Sequence, residues 1–349
     1  MPFRGRYNAA PMQPEVRSAA AIPLRWLVLV LGILAGCATP RIQTIEAIAT
    51  AAALYPDHIL TEDGMRLPLT LWQPAGQPRA VVLALHGFND YRRAFEETGA
   101  FLAVHGVAVY AFDQRGFGET VGAGGWFGHA RLAADVYLAA RLIRARHPGL
   151  PLYLLGESMG AAVALAALAD FPGDWADGLV LLAPAVWGRE TMPWLQRAAL
   201  WLAAHTFPTT RLSPRGLNIR ATDNDAALKK LREDPLVIKD TRVEALWGLA
   251  DLMDQALSTW PPPELPTLIL YGERDQIIPK RPTCRWLAAR PDSNLHRLAV
   301  YREGWHMLTR DLQAVTVLTD IDAWLHDPSA ALPSGAEVRA QVPAFCPPP

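Results

Sequence analysis

The sequence has no surplus of charge: 33 Lys and Arg stand against 34 Asp and Glu, a formal net charge of −1. Phosphate binding needs a basic surface, and no strong basic run appears anywhere, so no nucleic-acid partner is expected. Cysteine is scarce, with three residues in 349. No cysteines and histidines fall at zinc-site spacing, so no structural metal is expected either. Internal repeats are absent, and biased composition is confined to the Pro-rich ends. What remains is half hydrophobic, 51 %, and long enough for one large α/β domain or a core with one insertion.

An apolar run long enough to span a membrane, about twenty residues, is also missing. The N-terminus carries a shorter one, LVLVLGILAG at 27–36, behind Arg4, Arg6, Arg17 and Arg25 and ahead of Cys37. A basic region followed by about ten apolar residues reads as a secretory signal. Leu34-Ala35-Gly36-Cys37 resembles the lipobox of bacterial lipoprotein signals. That resemblance implies cleavage before Cys37 and a lipid on its thiol, which would tie the protein to a membrane. Ala38 is not the Asp of inner-membrane retention, so the implied location is the outer membrane of a Gram-negative envelope. An uncleaved anchor helix, or a true start at Met12, is the alternative. Of the other two cysteines, Cys284 and Cys346, two readings stay open. They form a disulfide fastening the Pro-rich tail in an oxidising periplasm, or they are free thiols, one buried and one exposed.

Past Cys37 the expected organisation is a tether with a short helix over 37–56, then strand, turn and helix in alternation. HIL at 58–60 and MRLPLTLWQP at 65–74 read as a hairpin turning at Asp63-Gly64. AVVLALHG (80–87), VAVYAFD (107–113), PLYLLGES (151–158), GLVLLAP (178–184) and TLILYGERD (267–275) are apolar runs of the kind that form strands buried on both faces. Helices are expected at 91–104, 128–147 and 159–170. The predicted class is α/β: a mostly parallel sheet flanked by helices, with ligand-facing residues at the carboxyl ends of its strands. A helical cap interrupts it at 188–262, dividing the core into 57–187 and 263–328, and 329–349 forms a Pro-rich tail. In the cap, Trp194, Ala198, Trp201 and Leu202 share one helical face, and Val243, Leu246, Trp247, Met253 and Leu257 share another. Trp194, Trp201 and Trp247 are candidate contacts for an acyl chain, although packing of cap on core explains the same stripes equally well.

Gly156-Glu157-Ser158-Met159-Gly160 stands between a strand and an Ala-rich helix. A nucleophilic serine needs such a strand-to-helix turn, with small neighbours that let backbones approach. Its hydroxyl is weak at neutral pH and needs a base. His306, in Glu303-Gly304-Trp305-His306-Met307 after the strand-like HRLAVY, is the candidate base. Asp275, at the end of TLILYGERD, is the candidate for orienting it. His105, His129, His147, His205 and His326 fall on helices, their ends or the cap, and Asp251 and Asp254 on a cap helix, which makes them poorer choices. An oxyanion needs two backbone donors: the residue after the nucleophile and one in the loop after an earlier strand. His86-Gly87-Phe88 supplies that loop, which nominates the amides of Phe88 and Met159. Glu157 reads as a structural or solvated carboxylate.

Taken together, HGF (86–88), DQRGFG (113–118), GESMG (156–160), YGERDQIIP (271–279) and GWH (304–306) resemble the monoacylglycerol lipase and lysophospholipase branch of the α/β-hydrolases over roughly 57–326. The resemblance implies an α/β-hydrolase fold, no cofactor, and a structural part for Asp113, Arg115 and Gly116. It also implies cleavage of a small lipid ester through an acyl-enzyme, with no obligate protein partner. Two other functions remain open: a broad carboxylesterase or thioesterase for short acyl groups, and a non-catalytic lipid-binding lipoprotein.

Overall fold

The computed structural model describes residues 1, 39–46, 48–213, 216, 218–289, 293–338 and 345–346. The chain divides into two units, Met1–Cys37 and Ala38–Pro349, and every element below belongs to the second. The signal segment and Cys37 lie outside the described residues. Among the described residues no helix is long and apolar enough to cross a membrane.

Nine strands form one twisted sheet. They are β1 (Ala53–Leu54), β2 (His58–Leu60), β3 (Arg66–Trp72), β4 (Ala80–Leu85), β5 (Val107–Phe112), β6 (Leu152–Glu157), β7 (Gly178–Leu182), β10 (Thr267–Gly272) and β11 (His296–Tyr301). Their spatial order is β1-β2-β3-β5-β4-β6-β7-β10-β11. The first three pair antiparallel, and every pairing from β5 onward is parallel. The parallel strands are apolar without alternation because both faces are covered. Val81, Leu83 and Leu85 of β4 enter one hydrophobic layer, with helices α2 (His129–Arg146), α3 (Met159–Asp170) and α7 (Lys280–Ala288). Ala80, Val82 and Ala84 enter the other, with α1 (Glu96–Val104) and α8 (Ala314–His326). The α/β-hydrolase arrangement expected from the sequence is therefore the arrangement present.

Between β7 and β10 the chain leaves the sheet and builds α4 (Trp194–Thr206), α5 (Asp225–Glu233) and α6 (Val243–Ser258). A ribbon of β8 (Arg211–Leu212) and β9 (Thr241–Arg242), too short to show in the sequence pattern, ties α4 to α6. The second stripe faces inward: Val243, Met253 and Leu257 are buried. Gly248 lets α6 lie against the Trp126 ring, which a methyl group at that position would meet.

One expectation needs correction. Residues 39–46 and 48–56 hold no helix. Instead the segment is pinned in extended form: the Gln43 amide donates to the Trp126 carbonyl, the Thr50 amide to that of Glu62, and β1 pairs with β2. A short Ala-rich segment gains more from backbone bonds to a neighbouring strand than from an isolated helix, whose nucleation is unfavourable. The start of the Pro-rich tail is tied to the end strand of the sheet. Val338 donates to the Leu298 carbonyl, and Glu337 pairs with Arg297.

Candidate active site

The register of the sheet brings the motif residues together. Leu85 of β4 pairs with Gly156 of β6, so His86-Gly87-Phe88 and Ser158 leave the sheet side by side. β6 ends one residue before Ser158, which adopts φ 54° and ψ −113°. A positive φ is costly for a residue with a side chain and persists only where its surroundings over-determine it. Here the Ser158 amide donates to the Leu182 carbonyl, and its own carbonyl accepts from Ala161, Ala162 and Ala185. The two flanking glycines are required by space. A Cβ at Gly160 would collide with the Leu85 carbonyl, and one at Gly156 would lie 2.5 Å from the Ala161 backbone. Gly87 lies against Ser158, its virtual Cβ 3.5 Å from the serine's Cβ. Met159 is the first residue of α3, where an amide has no partner within the helix.

Asp275 and His306 come from the loops after β10 and β11, neighbours in the parallel sheet. Gly272 ends β10 beside the loop that carries His306. A side chain there would strike the carbonyls of Gly304 and Trp305, so the glycine lets the two loops approach. His306 Nδ1 lies 2.8 Å from Asp275 Oδ2. The other carboxylate oxygen accepts from the amides of Ile277 at 2.7 Å and Ile278 at 3.0 Å, fixing its orientation. Burial opposes a charge on the His306 ring. The charge and hydrogen bond of Asp275, with the charge of Glu157, outweigh it and hold the pKa above the ordinary imidazole value, against an opposing push from Arg310.

Ser158, His306, Gly87 and Phe88 line one cavity of about 430 Å³. Its remaining wall is largely apolar: Trp187 from the segment after β7, Leu200, Leu246 and Met253 from the cap, and Ile277 from the acid loop. Three other clefts are larger, about 770, 550 and 460 Å³; none holds Ser158 or His306, and the first two are lined largely by charged side chains. The three cap tryptophans are misplaced by the sequence reading. None of them lines the cavity; they border a shallow surface groove instead. Trp194 is 70 % exposed, Trp201 is 49 % exposed, and Arg189 stacks on Trp247 at 4.0 Å. Helical spacing identified a common face on α4, but the outward one. Gln196 and Leu200 face the cavity.

A family model described as Hydrolase_4, serine aminopeptidase S33, matches residues 76–313. The chain belongs to that family. It is 26 % identical to human monoglyceride lipase over 285 residues, 78 % of this chain and 91 % of that protein. It is 28 % identical to a monoacylglycerol lipase of Mycolicibacterium smegmatis over 277 residues, 75 % of this chain and 93 % of that one. Among solved structures, a soluble variant of the Saccharomyces cerevisiae monoglyceride lipase with a substrate analog superposes with a TM-score of 0.65. That match is at 20 % identity and covers 83 % of this chain and 98 % of the other.

Within this family framework three further groups shape the site. His86 is fully buried, and burial depresses its pKa. Its Nε2 accepts from the Gln114 amide, which leaves Nδ1–H to donate to the Gly87 carbonyl and set the turn before Phe88. The DQRGFG loop is structural, in line with the resemblance. Asp113 accepts from Arg92 and from the amide of Glu119, and buried Arg115 bridges Asp63 and Asp135. Arg310 escaped the sequence reading. Its guanidinium joins Asp90 at 2.7 Å and Glu157 at 2.6 Å, all three on the cavity wall. Glu157 is therefore a buried, paired carboxylate, and its Oε2 has no hydrogen-bond partner among the described residues. Only its place in the motif beside Ser158 and the nearness of Arg310 to His306 hinted at this cluster.

Proposed function

We propose that the protein is a serine ester hydrolase cleaving monoacylglycerol or lysophospholipid-type esters through an acyl-enzyme on Ser158. The observation that carries this reading is the Asp275–His306 pair, 2.8 Å apart, at a largely apolar cavity that also receives Ser158 on its left-handed turn. His306 takes the serine proton as the hydroxyl attacks the ester carbonyl. Asp275 holds the imidazole tautomer and stabilises the imidazolium. The amides of Phe88 and Met159 receive the oxyanion. His306 then protonates the leaving alcohol, and water repeats the sequence to free the acid. The monoacylglycerol and monoglyceride lipases among the relatives support the substrate class, as does the apolar lining, which suits an acyl chain. Residues 188–262 act in this reading as the substrate-selecting cap.

A membrane location belongs to the same proposal. With a lipid on Cys37, the tether pinned at Gln43 holds the catalytic body close to the bilayer. Helix α4 supports this reading: Trp194, Leu195, Trp201 and Leu202 are exposed, while Leu200 lines the cavity. Aromatic and aliphatic side chains of that kind suit a lipid interface.

The test is a substrate profile. p-Nitrophenyl esters from acetate to palmitate, followed by monoacylglycerols and lysophospholipids, should give kcat/KM rising to medium or long chains. A peak at acetate or butyrate, or preferential cleavage of aminoacyl p-nitroanilides, would contradict it.

A further inference from the structure

Cys284 and Cys346 are joined by a disulfide with Cα atoms 5.4 Å apart. The bond links α7 to the end of the tail and places Phe345, 6 % exposed, in the core layer that also contains Tyr271, Ile278 and Trp286. The Phe345 and Tyr271 rings meet in a T-shaped arrangement at 5.5 Å, and the Lys280 ammonium lies over the Phe345 ring at 4.3 Å. Tyr271 and Lys280 are not arbitrary neighbours. Tyr271 is the penultimate residue of β10, just before the Asp275 loop, and Lys280 is the first residue of α7, just after it. Tyr271 also reaches across the loop, its hydroxyl donating to the Ile278 carbonyl at 3.1 Å. Ile278 in turn gives its amide to Asp275 Oδ1.

We infer that Phe345, held in place by the Cys284–Cys346 disulfide, is a positioning residue for Asp275. This rests on the reading of Asp275 as the group that orients His306. The physical path is short and continuous: disulfide, Phe345 ring, Tyr271 and Lys280, Ile278, carboxylate. The loop's two ends are braced by one aromatic ring from a distant segment. A cross-link one residue beyond Phe345 removes most of the freedom the tail end would otherwise have. Placement of a group that orients a base is where small displacements are expensive, since an error near 1 Å can cost up to about a hundredfold in rate. Oxidation of the thiol pair thus couples to the alignment of the base.

The experiment compares the oxidised chain with three others: the same chain after dithiothreitol opens the bond to two thiols, Cys346→Ser, and Phe345→Ala with the disulfide intact. Each is assayed well below its melting temperature, with folding checked by circular dichroism. The expected result is a fall in kcat on the order of tenfold, with KM within about twofold. The acid limb of kcat should also move to lower pH. His306 is faced by Asp275 from the β10–α7 loop, Glu157 from β6, and Arg310 from the turn that follows it. Only the first of these loosens when Phe345 is lost, so its raising influence weakens. Phe345→Leu, which refills the space, should recover most of kcat. An unchanged kcat and acid limb in all three, or a lower kcat with an unmoved limb, overturns the inference. Asp275→Asn run alongside separates the two readings: if it keeps full activity, the assignment of Asp275 itself fails.

Discussion

Charges of both signs set the ionisation of His306, and they can be removed one at a time. As a general base the ring must be neutral, so a raised pKa means activity is lost as pH falls through a value above the ordinary imidazole range. Glu157→Gln deletes a charge that raises this pKa, so the acid limb of kcat/KM should shift to lower pH. Arg310→Gln deletes a charge that lowers it, so the limb should shift to higher pH. Movement in the same direction in both variants would contradict the assigned surroundings. Arg310→Gln also leaves Asp90 and Glu157 buried without their cation. Breaking such a cluster costs about 3–5 kcal/mol, so the profile must be recorded where the variant stays folded. Ser158, Asp275 and His306 were legible in the sequence because each follows an apolar strand run. Arg310 was not, because its partner Glu157 is 153 positions away and no local pattern marks such a pair.

At the scale of elements, the turn from β6 into α3 and the end of β4 share one piece of space. A Cβ at Gly160 would enter the Leu85 carbonyl and press on that of His86. Relief requires moving the strand end that carries the Phe88 amide. Gly160→Ala should therefore lower Tm by several degrees, in keeping with overpacking costs of about 1–3 kcal/mol. It should also lower kcat/KM. Gly76→Ala, with nothing within 4 Å of its virtual Cβ, should leave both unchanged. Thermal melts of the two variants decide the point, and equal Tm values would contradict it. Elements with a strong pattern were read well: α3 spans Met159–Asp170, the range given by its Ala-rich run. Periodicity failed where it gives a stripe but not its direction. On α4 the tryptophan face points outward, and on α6 the matching stripe points inward. The extended segment at 48–54 was equally unreadable, because its partners are backbone groups of β2 and the turn after it.

The whole molecule joins an apolar cavity, a cap with an exposed aromatic face, and a tether pinned to the core near Trp126. If Cys37 carries lipid, Cys37→Ser should move the protein from the membrane pellet to the soluble fraction. Continued pelleting at unchanged mass would refute the anchor while leaving the chemistry untouched. The parallel sheet follows from chain order and apolar runs. Convergence of three loops at one sheet edge follows only from register, which the sequence does not display. That convergence is the central claim, and covalent trapping tests it most directly. After incubation with a fluorophosphonate, intact-mass and peptide analysis should find one adduct, on Ser158, and His306→Ala should suppress it strongly. Labelling at another residue, or undiminished labelling of Ser158 without His306, would contradict the account.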